Sequence, residues 1–233
     1  MLRIKKQYNF CICHCIICSN NCLNHCNTFV IIMYGLRYKG GGNSMDYIKS
    51  IEIYNPFNEQ EIQDKKVILN YIKQFGYNVL LRDNEIAHIT SSGFIMNSAL
   101  DKVLLVHHNI RNVWSWTGGH ADGDKDLLYV SIKEAKEETG IIDIHPLLDK
   151  IASIDILPVY GHFKNSNYVN THLHLSIAYI LIADEKNELR ICSEENSGVE
   201  WFSIKKFTNE YFDKNDVYLY NKLISFAQNY KKH

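Results

Sequence analysis

The sequence predicts a mixed fold of the α/β or α+β class, with strands in the middle of the chain and helices before, among and after them. Three patterns support this prediction. Amphipathic stripes of helical period occur near both ends, short alternating or apolar runs lie between them, and a glutamate-rich helical segment interrupts these runs. Together the patterns favour helices packed against a β-sheet.

The predicted elements follow one another at short intervals. A helix runs from Asn58 to Gly76, with its apolar residues on one stripe and the glycine as its stop. Asp126 caps a second helix that Gly140 closes, and the segment 217–230 is a closing amphipathic helix. Strands are predicted at six places, of which the first two form a hairpin: 87–97, 102–108, 112–117, 151–157, 171–182 and 198–202.

The second predicted helix carries three acidic residues on one face. Glu134, Glu137 and Glu138 are spaced i, i+3 and i+4, so their side chains can converge on one point. Three like charges repel one another, and a divalent cation such as Mg²⁺ or Mn²⁺, which prefers carboxylate oxygens, would compensate for the repulsion. The alternative is a solvated face whose charge is neutralised by Lys133 and Lys136, with Lys133 and Glu137 paired at i, i+4.

The segment 118–141 reads GGHADGDKDLLYVSIKEAKEETGI and resembles the signature of the Nudix hydrolases. The spacing fits without a gap, and seven residues fall on their places: Gly119, Glu134, Ala135, Glu137, Glu138, Gly140 and Ile141. The resemblance implies an α/β/α sandwich with a mixed β-sheet, the glutamate-bearing helix and an additional N-terminal helix. The GGHADGD sequence, together with His107 and His108, is similar to a bacterial subgroup of the family.

The resemblance also implies a reaction and its residues. Glu137 and Glu138 would hold Mg²⁺ or Mn²⁺, Glu134 would be a third ligand or the base, and the backbone carbonyl of Gly118 would be a further ligand. Glu194 and Glu195 lie before a turn where related enzymes often supply an additional carboxylate as base or ligand, and Glu195 is the candidate here; the alternative is that both are solvated loop acids. The implied reaction is hydrolysis by metal-activated water of a diphosphate that links a nucleoside to another moiety.

Two positions depart from the signature. Lys125 stands where the first glutamate is expected, and Lys133 replaces the arginine, so their usual salt bridge cannot form. Lys133 could instead donate to Asp124 or Asp126, and it is also a candidate substrate-binding residue. A lysine lacks the planar fork of arginine and orients carboxylates less strictly. The departures leave a second function class open, a non-catalytic Nudix-like module that senses a nucleotide.

Three histidines are further candidates for binding the substrate. His120 follows the signature glycine directly, and His172 and His174 alternate along a predicted strand and therefore share one face. A second metal or a phosphate could bind there. The alternative is that His172 and His174 are half-buried strand residues with local hydrogen bonds.

The first 44 residues differ from the rest. They contain six of the seven cysteines, five basic residues and no acidic residue. The cysteine spacing does not match zinc ribbons, which are built from paired CxxC motifs. The glycine-rich codons before Met45 can spell a bacterial ribosome-binding site, so we expect that translation starts at Met45. Residues 1–44 are then untranslated upstream sequence or disordered chain, residues 45–90 are a helical extension, and residues 91–233 are the Nudix domain.

Composition limits the partners of the remaining chain. From Met45 onward there are 20 basic and 26 acidic residues, a balance that disfavours a nucleic-acid polymer as the partner. No apolar run is long enough to span a membrane. We therefore expect a cytoplasmic protein, a homodimer being possible, that binds a small nucleoside diphosphate derivative.

Overall fold

The structure, a computed structural model, describes residues 46–164 and 166–230. The cysteine-rich segment 1–44, and with it the expectation about the start at Met45, lies outside the described residues.

The described part of the chain forms four α-helices where the sequence provides caps. They are α1 (Tyr47–Ile53), α2 (Glu59–Phe75), α3 (Leu127–Thr139) and α4 (Lys214–Tyr230). Asn58 caps α2, because its side-chain oxygen accepts a hydrogen bond from the Glu61 N–H at 2.9 Å. A 3₁₀ helix (Gly76–Leu80) continues from α2, and another (Ile204–Lys206) follows the last strand. The predicted helix 58–76 is confirmed, and so is the closing helix, which begins three residues earlier than predicted.

Within residues 46–164 and 166–230, ten strands build the sheets: β1 (Ala87–Met96), β2 (Lys102–His108), β3 (Val113–Ser115), β4 (Thr117–His120), β5 (Ile144–Pro146), β6 (Ser153–Val159), β7 (His162–Lys164), β8 (Asn167–Val169), β9 (His172–Ala183) and β10 (Asn196–Ser203). The main sheet has the order β10-β2-β1-β9-β5, with β3 paired to β2, β4 to β1 and β6 to β9. Strands β7 and β8 form a separate hairpin. The sheet is mixed, because β1 and β9 run parallel and its other pairs are antiparallel.

Helices cover both faces of the sheet. On β1 and β9, odd-numbered residues such as Ile89 and Ile177 pack in one apolar cluster with residues of α1, α2 and α3. Even-numbered residues such as Phe94 and Ile180 pack in a second cluster with α4. This alternation follows from the two-residue period of a strand. The predicted α/β/α sandwich with a mixed sheet is confirmed.

The prediction of a loop at the signature glycines is wrong. Gly118 and Gly119 lie within β4, and the predicted strand 112–117 is divided between β3, which pairs with β2, and β4, which pairs with β1. A β-carbon on Gly118 would lie 2.8 Å from the Ser91 carbonyl oxygen. Glycine is therefore required here because β4 packs closely against its neighbours, whereas the sequence pattern alone suggested a loop.

A buried ion pair joins the two ends of the described chain. In α4, the Lys222 ammonium lies 2.8 Å from Glu61 of α2 and 2.6 Å from Asp155 of β6, and all three side chains are almost completely buried. The Tyr54 hydroxyl donates a further hydrogen bond of 2.6 Å to Glu61. Charges in the interior remain stable only when paired in this way.

We expect Lys222→Met to destabilise the protein by about 3–5 kcal/mol, because it leaves two carboxylates buried without a counter-charge. Urea unfolding followed by circular dichroism measures the effect. The control is Lys49→Met, since Lys49 pairs with Glu52 at the exposed surface and should contribute no more than about 1 kcal/mol. Equal losses in the two variants would contradict a structural role for the buried pair.

Candidate active site

Helix α3 presents the three glutamates at one edge of the sandwich. The Asp126 side chain caps the helix by accepting from the Tyr129 N–H at 3.0 Å. Gly140 ends it in the left-handed conformation, with a φ of 75°, as predicted for the signature glycine. Ala135, the residue after Glu134, is fully buried in the core. Both ends and the buried face thus fix the orientation of the acidic face.

Glu138 is the buried centre of the acidic face. It is 5% exposed, and its Oε1 accepts a hydrogen bond of 2.8 Å from the Gly118 N–H in β4. Its backbone carbonyl accepts from the Asn196 side-chain amide at 2.9 Å, which ties the start of β10 to the end of α3. The sequence did not point to Asn196, because no local pattern shows that β10 begins beside this helix.

Three other carboxylates act on Glu138. Burial raises the pKa of Glu138 well above its usual range, and the Gly118 N–H opposes this rise. The negative charges of Glu195, Glu134 and Glu137 raise the pKa of Glu138 further. Glu195 lies on an exposed turn directly before Asn196, so the structure places this predicted residue near Glu138.

Glu134 packs directly against the signature glycine. A β-carbon on Gly119 would overlap the carboxylate of Glu134, so only glycine allows the strand and this side chain to approach so closely. The Glu134 side chain is 16% exposed, whereas that of Glu137 is 54% exposed. The three glutamates thus range from buried to open within one helical turn.

Lys133 neutralises part of this charge. Its ammonium lies 3.0 Å from Glu134 and 3.4 Å from Glu137, so the i, i+4 pair expected from the sequence is present. Burial lowers the pKa of Lys133, but the two carboxylates outweigh burial and raise it. The expected contact with Asp124 or Asp126 is wrong, because these side chains accept backbone N–H groups around the start of the helix instead.

Lys125 lies away from this arrangement. Its ammonium is 5.9 Å from the centre of the Tyr77 ring, in a cation–π contact with the 3₁₀ helix that follows α2. The two lysines that replace signature residues therefore have separate partners. The two positions that form a salt bridge in the signature are thus not paired with each other here.

The predicted histidines come together with a fourth one, His88. One ring nitrogen from each of His88, His120, His172 and His174 lies within 4.8 Å of the others. Burial lowers the pKa of His120 to about 2 and that of His174 to about 3, and neighbouring positive groups add to both shifts. The alternating positions 172 and 174 pointed to two of the four residues. His88 was missed because its proximity depends on how β1 pairs with β9.

Comparison with known proteins identifies the family. Residues 87–223, more than half of the chain, match the NUDIX domain. The chain belongs to the NUDIX family. This confirms the predicted family and, with it, the predicted enzyme class, a NUDIX pyrophosphohydrolase. A search of curated proteins finds no match.

Several solved structures resemble this NUDIX protein. An Ap4A hydrolase of C. elegans in a binary complex is 16% identical, with a TM-score of 0.45, and the match covers 60% of this chain and 98% of that one. A NUDIX hydrolase from Clostridium perfringens is 20% identical, with a TM-score of 0.41 and coverages of 59% and 96%. A MutT protein from Methanosarcina mazei Go1 is 20% identical, with a TM-score of 0.43 and coverages of 64% and 98%.

The glutamate cluster suits a hard divalent cation. Its donor set consists of carboxylate oxygens, and the described ion pairs give it one lysine as a counter-charge. Mg²⁺ and Mn²⁺ prefer oxygen ligands of this kind. The structure places Gly118 beside Glu138, and the role of the Gly118 carbonyl as a ligand stays a prediction. None of the helices in the described part of the chain combines the length and apolar character that a membrane span requires.

The raised pKa of Glu138 predicts that this residue destabilises the metal-free protein at neutral pH. An acid with a raised pKa binds its proton more tightly in the folded chain, so its stabilising contribution is present at low pH and is lost as the pH rises through that pKa. Glu138→Gln keeps the acceptor for the Gly118 N–H but cannot ionise. With a chelator present, we expect it to raise Tm at about pH 8 and to lose this advantage towards about pH 4.

Differential scanning calorimetry at the two pH values measures this change, and an increase of a few degrees corresponds to roughly 1 kcal/mol. The matched control is Glu137→Gln, on the same helix, whose side chain is 54% exposed and which should change Tm less. A Glu138→Gln protein that melts below the wild type at about pH 8 would contradict the expectation.

Proposed function

We propose that this NUDIX enzyme hydrolyses the diphosphate linkage of a nucleoside diphosphate joined to another moiety, with Mg²⁺ or Mn²⁺ as its cofactor. The observation that carries the proposal is the buried carboxylate of Glu138, which accepts from the Gly118 N–H of β4 and whose pKa the charges of Glu195, Glu134 and Glu137 raise. Without a bound cation, the carboxylates repel one another. A cation held by Glu137, Glu138, Glu134 and the Gly118 carbonyl would compensate for this repulsion. Such an ion neutralises phosphate charge and lowers the pKa of a bound water.

Three glutamates have distinct roles in the proposed reaction. Glu138 is fixed by the Gly118 N–H and is the most rigid of the proposed ligands. Glu134, held against Gly119 and only partly exposed, is placed to orient or deprotonate the attacking water. Glu195, on an exposed turn next to Glu138, is the other candidate for the base. In either case the carboxylate accepts a proton from the water whose oxygen bonds to phosphorus, while the bridging P–O bond breaks and its electron pair leaves with the departing phosphate.

Lys133 is proposed to orient the carboxylates and to contact the substrate. Its side chain is 39% exposed, so the ammonium reaches both the glutamates and the solvent in front of them. A phosphate arriving there would find a positive charge at the rim of an otherwise acidic site. Binding of the substrate by His120, His172 and His174 stays a prediction, and their geometry supports a different role, described below.

The remaining parts of the proposal rest on the sequence. The GGHADGD segment supports membership of a bacterial subgroup, and we propose a cytoplasmic location and a small-molecule nucleotide partner. The homodimer stays a prediction.

A nucleotide sensor without catalysis is the second candidate. It is favoured by the Lys133 ammonium, which already pairs with Glu134 and Glu137, two of the proposed metal ligands. If this ion pair persisted with nucleotide bound, the cluster would be neutralised by lysine and would hold a cation weakly.

The first test is product release from a panel of diphosphate-linked nucleosides, with Mg²⁺ or Mn²⁺, by the wild type and by Glu137→Gln and Glu138→Gln. We expect turnover by the wild type and a loss of at least about 100-fold in kcat in each variant, since each removes a charge from the proposed ion site. Glu210→Gln, at an exposed position outside the site, is the control and should keep full activity. Nucleotide binding without turnover of any compound would favour the sensor.

Substitution of Lys133 tests its orienting role. Lys133→Arg supplies the planar fork that contacts two carboxylates at once, and we expect kcat to rise several-fold while Lys133→Met lowers it. Steady-state kinetics with the best substrate of the panel measures both. A fall in kcat for both variants would show that the compact ammonium, rather than charge alone, is what the site requires.

A further inference from the structure

The histidine cluster is built by strand register rather than by local sequence. His88 of β1 is directly opposite His174 of the parallel strand β9, and His172 precedes it by two residues on the same face. His120 of β4 is opposite Thr90, which is two residues beyond His88 on β1. The period of two therefore places all four imidazoles on one face of the sheet.

This face is opposite to the glutamate site. Gly119 contacts Glu134 of α3, and the next residue of β4, His120, points to the other side of the strand. The odd-numbered residues of β1 and β9 pack with α3, whereas His88, His172 and His174 have even numbers. The histidine cluster is thus a separate site that shares only strand β4 with the glutamates.

Two of the histidines are oriented as metal ligands commonly are. The Nδ1 of His88 lies 3.0 Å from the Asn84 carbonyl oxygen, and the Nδ1 of His172 lies 2.8 Å from the Asn170 carbonyl oxygen. A histidine whose Nδ1–H donates to a carbonyl offers Nε2 as a ligand, and this contact is typical around bound metals. The Nε2 of His88 is buried and has no hydrogen-bond partner, in a side chain that is 4% exposed.

The spacing of the nitrogens suits tetrahedral coordination. The two Nε2 atoms of His172 and His174 are 3.3 Å apart. Zn–N bonds of about 2.0–2.1 Å in a tetrahedron give nitrogens about 3.3–3.4 Å apart. The four ligand atoms lie within 4.8 Å of one another, so the widest pair exceeds this edge by no more than about 1.5 Å.

We propose that His88, His120, His172 and His174 bind one transition-metal ion of the Zn²⁺ class. Four nitrogen ligands suit Zn²⁺ and its neighbours in the first transition series, whereas Mg²⁺ prefers oxygen. A phosphate would need positively charged imidazoles, which the burial of these rings disfavours. Since four protein ligands complete a tetrahedron, the ion is structural and fastens β4, which carries Gly118 and Gly119, to β1 and β9.

The test is titration of the chelator-treated full chain, without a polyhistidine tag, with Co²⁺. We expect one tightly bound equivalent with the intense visible absorption of tetrahedral cobalt, displaced by Zn²⁺ and unaffected by excess Mg²⁺. X-ray absorption of the Zn²⁺-loaded protein should show four nitrogen neighbours with imidazole scattering. Sulfur neighbours, or thiolate-to-cobalt absorption in the near ultraviolet, would assign the ion to cysteines and overturn the proposal.

Variants separate this site from the glutamate site. His88→Gln and His174→Gln should lose the tight equivalent and the increase in Tm that Zn²⁺ gives the wild type, with circular dichroism confirming that both still fold. His145→Gln is the matched control, because His145 is exposed and opposite Ile182, roughly 26 Å along β9 from His174 at about 3.3 Å per residue. Glu137→Gln and Glu138→Gln should keep the equivalent, whether or not they abolish hydrolysis.

Failure to bind Co²⁺ tightly in the wild type, or its retention in both histidine variants, would overturn the proposal. If the histidine variants do not fold, X-ray absorption of the wild type decides by the count of nitrogen neighbours. Neither result depends on the hydrolase activity, because the measured quantities are metal content, ligand type and Tm.

Discussion

The parallel pairing of β1 with β9 is the constraint on which the rest of the molecule depends. Ten residue pairs run from Ala87 opposite Leu173 to Met96 opposite Ile182, and β1 is buried along its whole length. β4 lies along β1 and β6 along β9, so this pair determines where the signature glycines and the histidines are. A slip of one residue would move every side chain to the opposite face, separating the histidines and burying polar groups among apolar ones. The register is therefore strongly specified.

Repulsion among the carboxylates of the acidic face destabilises the folded protein, and the apolar core must offset this destabilisation. The Gly118 N–H and the Lys133 ammonium each relieve part of the repulsion, one by a hydrogen bond and the other by an ion pair. Yet burial still raises the pKa of Glu138, so these contacts do not fully compensate. Such unfavourable clusters are typical of sites that bind a cation, because only the bound state satisfies the negative charges. The acidic face therefore lowers the stability of the folded protein but favours the binding of a cation.

How much the sequence predicts depends on the range of the interaction. Helix α3, with its cap at Asp126, its end at Gly140 and its acidic face, follows from residues within a few positions of one another and was predicted correctly. The position of Gly118 was predicted, but its strand conformation was not, because it depends on close packing against Ser91. His88 and Asn196 could not be found, since their partners lie tens of residues away and only the sheet topology brings them together.

The buried pair of Lys222 with Glu61 also bears on where this protein can be cut. The NUDIX match spans residues 87–223, so it contains Lys222 and Asp155 but not Glu61 or Tyr54. A fragment made to the boundaries of the family would keep the ammonium in the interior with half of its counter-charge, and would lose α1, α2 and the last seven residues of α4. Expression boundaries should therefore include Glu61 and the whole of α4, rather than stop at the limits of the family match.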